Sequence, residues 1–137
     1  MTTIITPRPP LNLFEVVRMQ ATDVWTTIYT VPEYQVPASG PTPQRTIGAA
    51  AIMNGLLVTN TSLSTVAVSI RILNTSGSPF SILNAAPIPS NDFMIVALER
   101  QVMLTDEAIQ VKMNTAQTAA VHFSFILNTR EEFEVIP

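Results

Sequence analysis

Thr65-Val-Ala-Val-Ser-Ile-Arg-Ile72 alternates without a break, with Val66, Val68, Ile70 and Ile72 on one side of an extended chain and Thr65, Ala67, Ser69 and Arg71 on the other. A side-chain period of two is that of a strand with one face in a core and one in water, the pattern of antiparallel sheet. The same alternation recurs downstream. Ala108 to Met113 sets Ile109, Val111 and Met113 against Gln110 and Lys112, and Thr118 to Leu127 sets Val121, Phe123, Phe125 and Leu127 opposite His122, Ser124 and Asn128. Asp92 to Leu98 differs, because Met94, Val96 and Leu98 on one face are matched by Phe93, Ile95 and Ala97 on the other. A strand apolar on both faces is either central in a sandwich or laid against another subunit.

Working upstream, Thr46 to Met53 and Leu56 to Thr59 read as strand, interrupted at Asn54-Gly55 by a hairpin turn or a bulge. Val24 to Val31 is β-branched and aromatic and is stopped by Pro32. Asn74 to Pro79 is a turn, Phe80 to Leu83 a short strand, Pro87-Ile-Pro89 a crossing and Thr105-Asp-Glu107 a turn. Glu33 to Gln44 has the composition of a long loop, and Leu11 to Met19 suits a short helix or a strand equally. The 11 prolines argue against long helices. Thr6-Pro-Arg-Pro-Pro10 favours polyproline II. About eight short strands spaced roughly 8 to 12 residues apart predict an all-β fold, a single antiparallel β-sandwich or jelly roll. The expected organisation is an extended proline-rich N-terminal arm, 1–23, followed by a sandwich domain, 24–137.

A chain of 137 residues fits one core. It is 47% hydrophobic and 12% charged, with mean hydropathy +0.31, against about 25% charged for an ordinary soluble domain. The surface is therefore covered by Thr, Ser, Asn and Gln, or is partly buried against other subunits. The net charge is −3, and the arginines, from Arg8 to Arg130, are scattered rather than clustered, which predicts no nucleic-acid partner. Met1 to Pro7 lacks a basic region followed by an apolar core, and Ile47 to Val58 is shorter than the roughly 20 residues of a membrane helix. A soluble protein made in the cytoplasm, without a membrane partner, is expected.

Little in the chain resembles reaction chemistry. With no cysteine there is no thiol nucleophile or disulfide framework, and His122 is the only histidine. Ser124 shares its strand face, but no orienting acid is evident, so His122 reads as a surface or interface residue. One histidine supplies too few ligands for catalytic zinc. Asp106-Glu107 reads as a turn, and the glycines at 40, 48, 55 and 77 cannot form a phosphate-binding loop. Asn60-Thr-Ser62 and Asn74-Thr-Ser76 match glycosylation sequons but read as turns. No catalytic residue, cofactor or metal is expected, and the chain is not expected to be an enzyme. Trp25 and Tyr29 are spaced to share a strand face and, with Tyr34, could form a platform stacking on a glycan. The C-terminal Glu131, Glu132 and Glu134 interleave with Phe133, Val135 and Ile136, a solvated end or a docking tail. Candidate interface residues are Leu11, Leu13, Phe14, Trp25, Tyr34, Phe93, Ile95 and Phe133.

Four segments together carry a resemblance: Trp25-Thr-Thr-Ile-Tyr-Thr-Val-Pro32, Leu57-Val-Thr-Asn-Thr-Ser62 leading into Val66 to Ile70, Ala86-Pro-Ile-Pro-Ser90, and Leu104 to Val111. Over residues 24 to 127 the chain resembles a group of small phage virion proteins. In that group a Tyr-x-Val-Pro strand is followed by an Ala-Asn-x-Ser turn, an Ile-Pro-x-Gly turn and a Leu-x-x-Gly-Asp-x-Ile-x-Val strand. Ser90-Asn91 and Thr105-Asp106 stand where that group has glycine, and residues 33–44 lengthen the first loop. The resemblance implies a capsid decoration (cement), neck or tail-associated structural role in a virion. Other virion proteins and copies of the same chain would be its partners, with no catalytic residue to carry over. A tail or fibre module binding a host glycan is the alternative.

Overall fold

The computed structural model describes residues 3–5, 12–36, 38, 40–98, 101–115 and 119–130. Within them the chain forms β1 (Thr3–Ile5), β2 (Asn12–Ala21), β3 (Thr26–Thr30), β4 (Glu33–Val36), β5 (Arg45–Asn60) and β6 (Val66–Leu73). It continues through β7 (Pro79–Ile88), β8 (Asp92–Val96), β9 (Val102–Leu104), β10 (Ala108–Met113) and β11 (Ala119–Arg130). The larger sheet runs β1-β4-β5-β11-β2, with β8 and β9 also paired to β5, and the smaller runs β3-β10-β6-β7. The pairing of β1 with β4 is parallel, and the other pairings are antiparallel. The fold is an all-β antiparallel sandwich.

The three alternating segments supply its core. Val66, Val68 and Ile70 of β6, Ile109, Val111 and Met113 of β10, and Val121, Phe123 and Phe125 of β11 are all buried. Phe125 bridges the sheets, its ring 5.0 Å from that of Phe123 and 4.3 Å from that of Tyr29 in β3. Each such side chain contributes about 1.5–3 kcal/mol by leaving water.

Three expectations give way, and one pair of alternatives is decided. Asn12–Ala21, inside the expected arm, is a strand paired along its whole length with β11, so the sandwich begins well before residue 24. Its alternation is blurred because Phe14 and Val16 stand outward beside inward Val17 and Met19. The long loop contains β4, whose Tyr34 pairs with Ile47. The Phe80–Leu83 segment lengthens to Pro79–Ile88, and Pro87, expected at a crossing, lies within it. β7 ends the smaller sheet, where a missing donor can face outward. Of the two readings of Asn54-Gly55, the bulge holds and the hairpin turn does not: Ser124 pairs with Gly55 and Phe125 with Met53, leaving Asn54 as an extra, bulged residue within one strand. The bulge switches the inward positions of β5 from Ala49, Ala51 and Met53 to Leu56 and Val58.

The two Asn-Thr-Ser segments are indeed turns. In each, the Asn Oδ1 accepts from the backbone N–H and hydroxyl of the Ser two residues on, at 3.0 and 2.7 Å. Asn60 is fully buried, and its Nδ2 donates to the carbonyls of Ser64, Ile88 and Pro89, tying the β5–β6 turn to the end of β7. Where the phage proteins have glycine, Asn91 (φ 54°) and Asp106 (φ 68°) adopt the left-handed conformation themselves. Asn and Asp are the non-glycine residues that tolerate it best.

Candidate interaction surface

Of the 12 exposed large apolar side chains among the described residues, eight lie on the outward face of the larger sheet. Sheet register lines them up in rows across the strands. Phe14 of β2, Ile126 of β11, Ile52 of β5 and Val102 of β9 are consecutive partners and form one ridge. Two residues along, Val16, Ser124 and Gly55 form a low row, and the next row runs Arg18, His122, Leu57 and Ile95. Phe93 and Leu104 extend the face at its two ends. Phe14 is 59% exposed, Phe93 57% and Ile95 71%, whereas outward strand positions facing water are normally polar.

Two hollows are set into this face. One, of ≈ 620 Å³, lies over Gly48 and Ala50 between Ile52, Val102 and Leu104, and Thr75 of the β6–β7 turn also lines it. The other, of ≈ 250 Å³, lies over Gly55 between Val16, Leu57, Ile95 and His122. Both occur where a glycine leaves the sheet bare.

The outward face of the smaller sheet is built differently. Gln110 of β10 accepts from the Arg71 Nε at 2.9 Å and donates to the Thr27 hydroxyl at 3.0 Å, joining β6, β10 and β3. The Arg71 guanidinium lies 4.0 Å from the centre of the Trp25 ring, with the Lys112 ammonium at 5.9 Å. These contacts close a polar network over an aromatic.

The expected stacking platform does not assemble. β10 pairs Ile109 with Tyr29 and Gln110 with Thr27, so Ile28 is bulged and the face changes between Thr27 and Tyr29. Trp25 consequently lies under Arg71, while Tyr29 packs on Phe125 in the core. Tyr34, an expected interface residue, is 8% exposed and belongs to the core, because its position opposite Ile47 is an inward one. Burial pushes both phenols above their ordinary range, and the Glu15 carboxylate adds to the shift.

The remaining expected interface residues divide. Phe14, Phe93 and Ile95 are together on the outward face; Leu13 is exposed but has the inward register, opposite Leu127. Leu11 and Phe133 lie outside the described residues. Val16, Ile52, Val102, Leu104 and Ile126 were missed by sequence reasoning. Their signal was present in runs such as Phe125-Ile-Leu127, where an apolar residue occupies the position that alternation assigns to water. His122 stands on this face beside Ser124, whose hydroxyl is 3.3 Å from the Asn54 amide that donates to it. No cluster of three or more potential metal ligands occurs among the described residues.

No family model and no curated protein match the chain. Among solved structures it is similar to one titled "Structure of infectious bursal disease virus Gx strain", at TM-score 0.38 and 11% identity over 93% of this chain and 33% of that one. A second, of the Gt strain, matches at TM-score 0.33 and 11% identity over 88% of this chain and 33% of the other. The chain spans about a third of the length of either. Both scores lie below the level at which two chains share a fold.

Proposed function

We propose that this protein is a non-enzymatic structural subunit of a virion, in the position of a capsid decoration or head-to-tail component, held to neighbouring virion proteins by the outward face of its larger sheet. The observation that carries the reading is the apolar face itself: a surface dominated by exposed Phe, Ile, Val and Leu is a cost in water and a source of affinity when covered. The low charge of the chain and its resemblance over residues 24–127 to small phage virion proteins support the same reading. The proline-rich composition of residues 6–10 suits docking, since proline reduces a chain's conformational freedom before it binds.

The test is composition. Particles of the virus that carries this sequence, washed in high salt, should contain the chain at a fixed copy number by quantitative mass spectrometry. Its absence from washed particles would overturn the reading.

A further inference from the structure

We infer that the outward face of the larger sheet packs against the same face of a second copy of this chain, related by a two-fold axis. The inference rests on the reading of that face as an assembly surface and names its partner.

The first argument is area. Eight exposed apolar side chains at roughly 100 Å² each come to on the order of 800 Å², the share one partner contributes to a standard interface. The largest apolar patch on an ordinary monomer is about 300–600 Å². Shape is the second. A two-fold interface requires one surface to carry both the projecting and the receiving parts, and here they are adjacent on the same strands. The Phe14–Ile126–Ile52–Val102 ridge is flanked by the ≈ 620 Å³ hollow over Gly48 and the ≈ 250 Å³ hollow over Gly55. Rows two residues apart are separated by about 7 Å. An axis running across the strands between the Ile126 row and the Ser124 row seats each ridge in the other copy's Gly55 hollow. The two sheets then lie about 10 Å apart, as in sandwich interiors.

Charge is the third argument. Arg18 and His122 are the ionisable residues in the rows from Phe14 to Ile95, and both stand in the row that bounds the Gly55 hollow on its far side, where His122 forms part of the wall. The proposed axis crosses rows that carry no charge, so a second copy brings no like charge to the centre. An oppositely charged partner would find little there to recognise.

The test uses the full chain. Light scattering across a concentration series should give twice 14.9 kDa, and Ile95→Lys should lower the mass to that of one chain while leaving the strand circular dichroism unchanged. Because the chain has no cysteine, Ser124→Cys reports independently: a short bismaleimide should join two copies through it, whereas Ser81→Cys, on the smaller sheet, should give no joined product. A double mass that persists in Ile95→Lys, or a single mass with no joined Ser124→Cys product either in solution or in particles, would overturn the pairing. If the chain is nevertheless present in washed particles, only the second-copy partner fails; if it is absent from them, the assembly reading fails first.

Discussion

The outward faces of the two sheets solve the problem of exposure in opposite ways. On the smaller sheet, Gln110 joins Arg71 to Thr27 and Arg71 covers Trp25, so the face is completed by contacts within the chain. On the larger sheet, Phe14, Ile126, Ile52 and Val102 stand in register and exposed, with no element among the described residues packed over them. Both faces back onto the same core and both belong to antiparallel pairs, so backbone geometry does not account for the difference. Side-chain chemistry does. A polar face satisfied internally holds the fold, while an apolar face left bare contributes little to the isolated chain and acts when covered.

Substitutions can break or sharpen that contrast. Phe125→Ala removes the ring that joins the two sheets and should cost about 3–5 kcal/mol in urea unfolding, with both faces lost in one transition. Splitting into two transitions would mean the sheets do not share a core. Trp25→Ala should cost about 1–2 kcal/mol, from the cation–π contact and the packing of the Arg71 stem, and Gln110→Ala about 1 kcal/mol for its two side-chain hydrogen bonds. If neither lowers stability, the smaller sheet's network is ornamental and the contrast disappears.

A smaller effect is expected from pH. Burial, and then the charge of Glu15, raise the Tyr29 phenol above its ordinary value of 10.0. The folded chain therefore holds that proton more tightly than the unfolded chain. This contribution to stability is fully present below pH 10.0 and is lost progressively as pH rises above it. Tyr29→Phe should remove that component of the alkaline decline, which a pH series of melting temperatures would register. An unchanged decline in the variant would assign it elsewhere. Ile52→Thr and Ile126→Thr should change the stability of the dilute chain least, by under about 0.5 kcal/mol. A loss matching that of Trp25→Ala would show that the larger sheet's outward residues hold the fold after all.

Some of this was legible in residue order. The inward sets of β6, β10 and β11 could be named because strict alternation over six or more residues fits one backbone period and one buried face. The two-sided apolar character of Asp92 to Leu98 pointed to Phe93 and Ile95, and both are exposed on the outward face. β2 was obscured because two of its outward residues, Phe14 and Val16, are apolar too, which removes the contrast that alternation depends on. Pro87 was read as a crossing because local sequence cannot tell an edge strand from a central one.

Faces, by contrast, were decided by pairing. One extra residue at Asn54 moves the inward set of β5 from Met53 to Leu56, and one at Ile28 separates Trp25 from Tyr29. A bulge exists only relative to a partner strand, and β11 and β10 lie far along the chain from the segments they displace. Which residues were apolar, and how often, could be read from their order. That eight of them share one bare surface with two glycine hollows follows from register across β2, β11, β5, β8 and β9, because only the hydrogen bonds between strands bring distant positions onto one row.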